Sequence, residues 1–190
     1  KKSEKRVGKV FHPQDKKMQR WDYAMCCCLI FTATVTPFEV AFLETTIDGL
    51  FFINRVVDLF FVRDMYVQFN LSYKDAEQGK WVTEPAQIRR HYGFSWFTID
   101  FISTIPYDCI SLFLRTDSLS NLKVMRTLKL LKLAKLLRML RSARIFKRLQ
   151  AVLGITNANA KLIKFLCLMF LVIHWIACLW RMVPTFESAP

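Results

Sequence analysis

The sequence predicts an all-α membrane protein, with four helices in a transmembrane bundle and a fifth, strongly apolar helix after them. Three observations predict it. First, 53% of the 190 residues are hydrophobic and the mean hydropathy is +0.22, yet the formal net charge is +13. A soluble basic domain of this length rarely combines these values. Second, the apolar residues gather into segments close to the ~17–25 residues that cross a bilayer as a helix. Third, residues 122–150 place a basic residue at every third position: Lys123, Arg126, Lys129, Lys132, Lys135, Arg138, Arg141, Arg144 and Lys147, separated mostly by Leu, Met, Val, Ile and Ala.

Residues 1–19 are polar and basic, with Lys1, Lys2, Lys5, Arg6, Lys9, Lys16 and Lys17, and are expected in water on the cytoplasmic side by the positive-inside rule. No secretory signal pattern opens the chain, so the first hydrophobic helix is expected to direct its own insertion. That helix is predicted at 21–43, charged only at Asp22 and Glu39 and with a possible kink at Pro37. A carboxylate in a span faces a wet crevice or a cation, and the cation expected for Glu39 is one on the basic helix.

The second helix is predicted at 47–73. It carries Asp48, Asn54, Arg55, Asp58, Arg63 and Asp64, too many polar groups to face lipid all round. Asp58, Phe61 and Asp64 step by three, within about 120° of one another, and form a stripe of acid, aromatic and acid. Residues 74–91 read as a polar cytoplasmic loop, and 94–114 as a third helix containing Asp100 and Pro106, with Asp108 read as structural.

The fourth helix is predicted at 120–149, with Ser118 or Ser120 as its N-cap. A surface helix that binds nucleic acid, lies on a membrane or faces solvent keeps its charges on one face, which requires mixed three- and four-residue spacing. A strict three-residue step drifts by about 60° each time on an α-helix and aligns only on a 3₁₀ helix. Cations at such spacing need acidic or wet partners met one after another, as a sliding voltage sensor requires. Gly154, Thr156 and Asn157 break the chain, and a last apolar helix runs from about 159 to 183, ahead of Pro184. The resulting division is 1–20 as a cytoplasmic segment, 21–150 as the sensor bundle, and 151–190 as a short linker with the last helix.

The six cysteines, Cys26, Cys27, Cys28, Cys109, Cys167 and Cys178, lack metal-type pair spacing and read as apolar packing residues, with palmitoylation an alternative for the first three. His174, beside Trp175, reads as a packed residue hydrogen-bonded to backbone. No metal, cofactor or enzymatic chemistry is expected.

Several stretches resemble the voltage-sensing domain of the cyclic-nucleotide-binding-domain superfamily of channels, which includes ether-à-go-go, hyperpolarisation-activated and plant inward-rectifier channels. The resemblance lies in FHPQDKKMQRWDYAM, TATVTPFEVAF, DLFFVRDMYVQF, above all WFTIDFISTIPYD at 96–108, and HWIACLW at 174–180, which is similar to the start of the pore domain. It covers nearly the whole chain.

The resemblance implies that Asp58, Asp64 and Asp100 are counter-charges and Phe61 the aromatic plug of a charge-transfer centre. Arg126, Lys129, Lys132, Lys135, Arg138, Arg141, Arg144 and Lys147 are then gating charges. Asn54 stands where some relatives carry an acid, which counts against an external divalent-cation site. The implied protein is part of a voltage-gated potassium or non-selective cation channel. Its partners would be the lipid bilayer of the plasma membrane, further copies in a homotetramer, and a transported cation, potassium by the resemblance. No Thr-Val-Gly-Tyr-Gly filter occurs, so the pore is expected outside this chain. Two other readings stand beside it. One is the sensor of a proton-permeable protein, exchanger or phosphatase, against which HWIACLW argues. The other is a basic nucleic-acid-binding helical protein, against which the other apolar segments argue.

Overall fold

A computed structural model describes residues 10–13, 15–43, 47–74, 80–110, 130–153 and 156–187. Its elements are α1 (Lys16–Phe42), α2 (Gly49–Gln68), β1 (Tyr73–Lys74), β2 (Trp81–Val82), α3 (Pro85–Ser95), α4 (Phe97–Thr104), a 3₁₀ helix (Lys132–Arg141), α5 (Ser142–Leu153) and α6 (Asn157–Glu187). The described residues are mostly helical, with one two-stranded antiparallel pair. Ser118, Ser120, Lys123, Arg126 and Lys129 lie outside the described residues.

α1 begins five residues before the predicted start. It buries Met18, Asp22, Met25, Leu29, Thr32, Ala33, Thr36, Pro37 and Val40, a stripe with the three- and four-residue steps of one α-helical face. The helix continues through Pro37, which removes one backbone donor from it. α2 is capped by Asp48, whose side chain accepts from the Phe51 amide at 3.0 Å. Its buried stripe is Asn54, Asp58, Phe61, Asp64 and Gln68, whereas Phe52, Ile53, Val56, Leu59, Val62 and Tyr66 are exposed. This is the reverse of a soluble amphipathic helix: polar groups turn inward and apolar groups outward.

α2 stops at Gln68, short of the predicted residue 73. Beyond it, the Phe11 amide donates to the Asn70 carbonyl at 2.8 Å and the Ser72 amide to the Phe11 carbonyl at 3.0 Å. Tyr73 pairs with Val82 and Lys74 with Trp81 in the antiparallel pair. The stretch predicted as a polar loop thus carries two short strands and most of α3, whose first position is Pro85, where a missing amide costs nothing.

The third predicted helix, 94–114, is not continuous. α3 and α4 are separate, and the chain leaves helix at Ile105, with φ −54° and ψ 131°. Pro106 explains this, because its ring disfavours the helical conformation in the preceding residue. A helical turn resumes at 107–110. The helix after the basic run extends to Leu153, and α6 starts at Asn157, leaving a shorter break than predicted. α6 also passes Pro184 and ends at Glu187.

The apolar core lies between α1, α2 and α5: Met25, Leu29, Phe61, Ile145 and Leu149, with Trp21, Cys26, Cys28, Val57, Phe60 and Met139 packed against it. Among the described residues α6 runs along α1, and most of its other side chains are exposed. Among the described residues, α1 and residues 157–184 of α6 are long and apolar enough to cross a membrane, and only 6% of the most apolar window of α6 is buried, against 39% for α1.

Candidate functional site

The basic residues from 132 to 141 sit on a 3₁₀ helix, so the three-residue spacing becomes a straight row. Lys132, Lys135, Arg138 and Arg141 are all buried on that row. At about 2.0 Å rise per residue, successive cations stand about 6 Å apart along the axis. Facing them are four buried carboxylates: Asp58 and Asp64 on α2, Asp100 on α4, and Asp108 on the turn after Pro106.

The contacts form a ladder. Lys132 Nζ lies 3.0 Å from Asp108 Oδ1, and Lys135 Nζ lies 2.6 Å from Asp108 Oδ2 and 3.7 Å from Asp58 Oδ2. Arg138 Nη2 bonds to Asp58 Oδ1 at 2.7 Å, and its Nε donates to the Ser103 carbonyl at 2.9 Å. Arg141 Nε bonds to Asp100 Oδ1 at 2.6 Å, and its Nη1 lies 3.6 Å from Asp64 Oδ2. Between these last two steps stands Phe61, wholly buried, with the Arg138 guanidinium 4.3 Å and the Arg141 guanidinium 5.3 Å from its ring centre.

The carboxylates are themselves held. Trp21 Nε1 donates to Asp64 Oδ1 at 3.0 Å, and the Tyr92 hydroxyl to Asp100 Oδ2 at 2.5 Å. Ser103 and Thr104 hydroxyls donate to the Asp100 carbonyl. Tyr92 lies on α3, ahead of the third apolar segment. Burial, then the neighbouring Asp100 carboxylate, pushes its phenol far above the ordinary tyrosine range, so it remains a donor. Arg55 Nη2 lies 2.6 Å from both Asp58 and Asp108, bridging the two carboxylates.

Past Arg141 the helix becomes α-helical, and the three-residue step drifts off the buried face. Arg144 is half-buried, 4.5 Å over the Trp96 ring and 3.6 Å from Asp100 Oδ2, and Lys147 is exposed. The end position falls instead to the part-buried Arg148, which binds the buried Asp22 through both oxygens at 2.6 and 2.9 Å. The structure thus brings together Asp58, Phe61, Asp64 and Asp100 with Lys132, Lys135, Arg138, Arg141 and, at the margin, Arg144. It leaves Lys147 outside the site, and Arg126 and Lys129 are not among the described residues.

Sequence reasoning missed Arg148, Asp22, Arg55, Tyr92 and Trp96, and read Asp108 as structural without naming its partners, Lys132 and Lys135. It expected a basic-helix cation for Glu39: Lys132 and Lys135 act on this carboxylate through space, while its direct partner is Asn54, whose Nδ2 donates to Glu39 Oε1 at 2.7 Å. His174 is hydrogen-bonded to backbone, its Nε2 lying 2.8 Å from the Thr34 carbonyl oxygen, as expected for a packed residue.

Residues 18–185 match the family described as ion transport protein. The chain is 33% identical over 167 residues to the potassium voltage-gated channel protein eag of Drosophila melanogaster, covering 84% of this chain and 13% of that protein. It is 35% identical over 116 residues to the potassium channel AKT2/3 of Arabidopsis thaliana, covering 60% of this chain and 14% of that one. It is 31% identical over 185 residues to the voltage-gated inwardly rectifying potassium channel KCNH2 of Rattus norvegicus, covering 88% and 14%. The chain therefore spans about a seventh of the length of the curated relatives it matches.

Proposed function

The chain belongs to the ion transport protein family, as a voltage-sensor region of the cyclic-nucleotide-binding-domain channel superfamily, and on that footing we propose that it senses voltage for a voltage-gated potassium or non-selective cation channel. The observation that carries this reading is the position of Phe61, which separates Arg138 on the Asp58 side from Arg141 on the Asp64 and Asp100 side. An apolar ring between two acid-lined compartments confines the field to the thickness of one side chain. A cation crosses it in a single step from one carboxylate set to the next.

In this mechanism α1, α2, the α3–α4 pair and the basic helix form the sensor, and α6 is the first helix of the pore domain. Lys132, Lys135, Arg138, Arg141 and Arg144 are gating charges, with Arg126 and Lys129 extending the row and Lys147, turned outward by the change to α-helix, standing off it. Asp58, Asp64 and Asp100 receive each of them in turn. Sliding the helix by three residues moves every cation about 6 Å and places it where its neighbour stood. The ladder of contacts is then remade with new partners, so the start and end states have similar energies. Each elementary charge carried across the field is worth about 2.3 kcal/mol per 100 mV. Three or four per subunit in a homotetramer supply tens of kcal/mol, enough to move a gate. The sensor lies in the plasma membrane with its N-terminal segment cytoplasmic, and potassium, the cation in the names of the relatives, is the proposed permeant ion through a pore formed by further residues.

The test is gating current from the chain, joined to its natural continuation, in an oocyte membrane stepped over a wide voltage range. Transient charge movement that saturates at both extremes is expected. With surface expression confirmed, absence of such movement makes the ladder a static set of ion pairs and overturns the reading.

A further inference from the structure

Pro37 has no amide hydrogen, so the carbonyl of Ala33, four residues earlier on α1, has no helical donor. Ala33 is fully buried, and a buried carbonyl without a donor is costly. The structure supplies one from another helix. Trp175 Nε1 on α6 donates to the Ala33 carbonyl at 2.8 Å across 142 positions of sequence. The adjacent His174 places Nε2 2.8 Å from the adjacent Thr34 carbonyl. Since the acceptor is a carbonyl oxygen, the imidazole carries its hydrogen on Nε2.

We propose that Pro37 makes α1 a receptor for α6: the Ala33 carbonyl that it frees takes the Trp175 donor, and His174 on the next carbonyl completes a directional clamp. Within a bilayer, lipid tails are as apolar as the side chains, so apolar contact alone does not drive two helices together, and a proline-freed carbonyl is satisfied by a neighbouring helix. Among the described residues α6 is nearly uncovered apart from its contact with α1, which gives these two bonds much of the work of fixing it. Two donors from consecutive residues onto two consecutive carbonyls fix both the height of α6 along α1 and its rotation about its own axis. Contact among apolar side chains would allow it to slide and turn. The clamp is a property of the fold. Only its use, to hold the pore helix against a part of the sensor that stays still while the basic helix moves, rests on the voltage-sensing reading.

The test is a double-mutant cycle on thermal unfolding of the full chain in detergent, followed by the gain in reaction of the buried Cys178 and part-buried Cys26 and Cys28 thiols with a fluorogenic maleimide. Trp175→Phe should lower the midpoint by about 2–4 °C, the effect of leaving one buried carbonyl unpaired in a chain of this size. Trp180→Phe, at a tryptophan 77% exposed on the same helix, should leave it unchanged. In a Pro37→Ala background the restored amide reaches the Ala33 carbonyl, so Trp175→Phe should lose more than half its effect. Equal midpoints for the two tryptophan variants, or an effect of Trp175→Phe undiminished by Pro37→Ala, overturn the proposal. Should Pro37→Ala fail to fold, His174 provides the second comparison. His174→Gln keeps a donor and should hold the parent midpoint, whereas His174→Leu should lose it, and identical midpoints for the two overturn the clamp. None of these readings depends on voltage, so failure of the clamp and failure of the sensor are separable.

Discussion

Arg141 meets a carboxylate at 2.6 Å, a second at 3.6 Å and an aromatic face at 5.3 Å, all out of water. Breaking a buried ion pair by deleting one partner costs about 3–5 kcal/mol, because the survivor is left charged and unpaired. Asp100→Asn is therefore expected to prevent surface expression or to displace the charge–voltage midpoint strongly, and behaviour like the parent would remove Asp100 from the counter-charges. Arg141→Gln is expected to reduce the charge moved per sensor by about one elementary charge, measured as saturating gating charge divided by the number of sensors. An unchanged value would exclude Arg141 from the gating set. The acids of α2 were legible as a three-residue stripe with Phe61, and Asp100 through the resemblance of WFTIDFISTIPYD to the family's sensor. Asp108 was not. It follows the break at Pro106, and the turn that aims it at Lys132 and Lys135 follows no helical period.

The basic helix changes type at Ser142, and this change decides which cations are inside. On the 3₁₀ side the three-residue repeat is buried, and on the α side it turns outward, so Lys147 is exposed while Arg148 takes the place opposite Asp22. A period read from sequence assumes one helix type throughout, which is why Lys147 was predicted at the site and Arg148 was not. Lys147→Gln should change stability by no more than about 0.5 kcal/mol, as an ordinary surface substitution does. Arg148→Gln should cost more, since it strands Asp22, and comparison of thermal midpoints checks the order. The row also makes position strict. Exchanging Leu137 and Arg138 as Leu137→Arg with Arg138→Leu conserves composition but moves the charge off the buried face, because Leu137 is exposed. Gating charge should fall as far as in Arg138→Gln, and full recovery would show that register does not matter. The strand pair of 73–74 and 81–82 was invisible for a different reason: strands of two residues carry no periodicity to detect.

As a whole the molecule has its polarity inverted, with charge inside and hydrocarbon outside. That feature was legible, since composition and the paired acids of α2 allowed no soluble arrangement. The end of α4 at Ile105 and the docking of α6 on α1 trace to two prolines, whose effects on neighbouring residues and helices no helical pattern records. Leu59 is 67% exposed on α2, and Leu59→Asp on a water-facing surface would be nearly neutral. Here it should oppose insertion by about 2.5–3.5 kcal/mol, seen as loss of surface protein, and normal expression would mean that this face is wet. The order of synthesis adds a demand on the cell. Asp58 leaves the ribosome 80 residues before Arg138, and Asp22 leaves it 126 residues before Arg148. At about 5–20 residues per second, Asp58 waits some ~4–16 s for its partner. During that interval Asp58 has only its own helix's Arg55 beside it and Asp64 lacks the cation of the basic helix, an arrangement that hydrocarbon tolerates poorly. The insertion machinery must therefore hold the early helices in a hydrated vestibule and release them to lipid only when the last of their partners has been made.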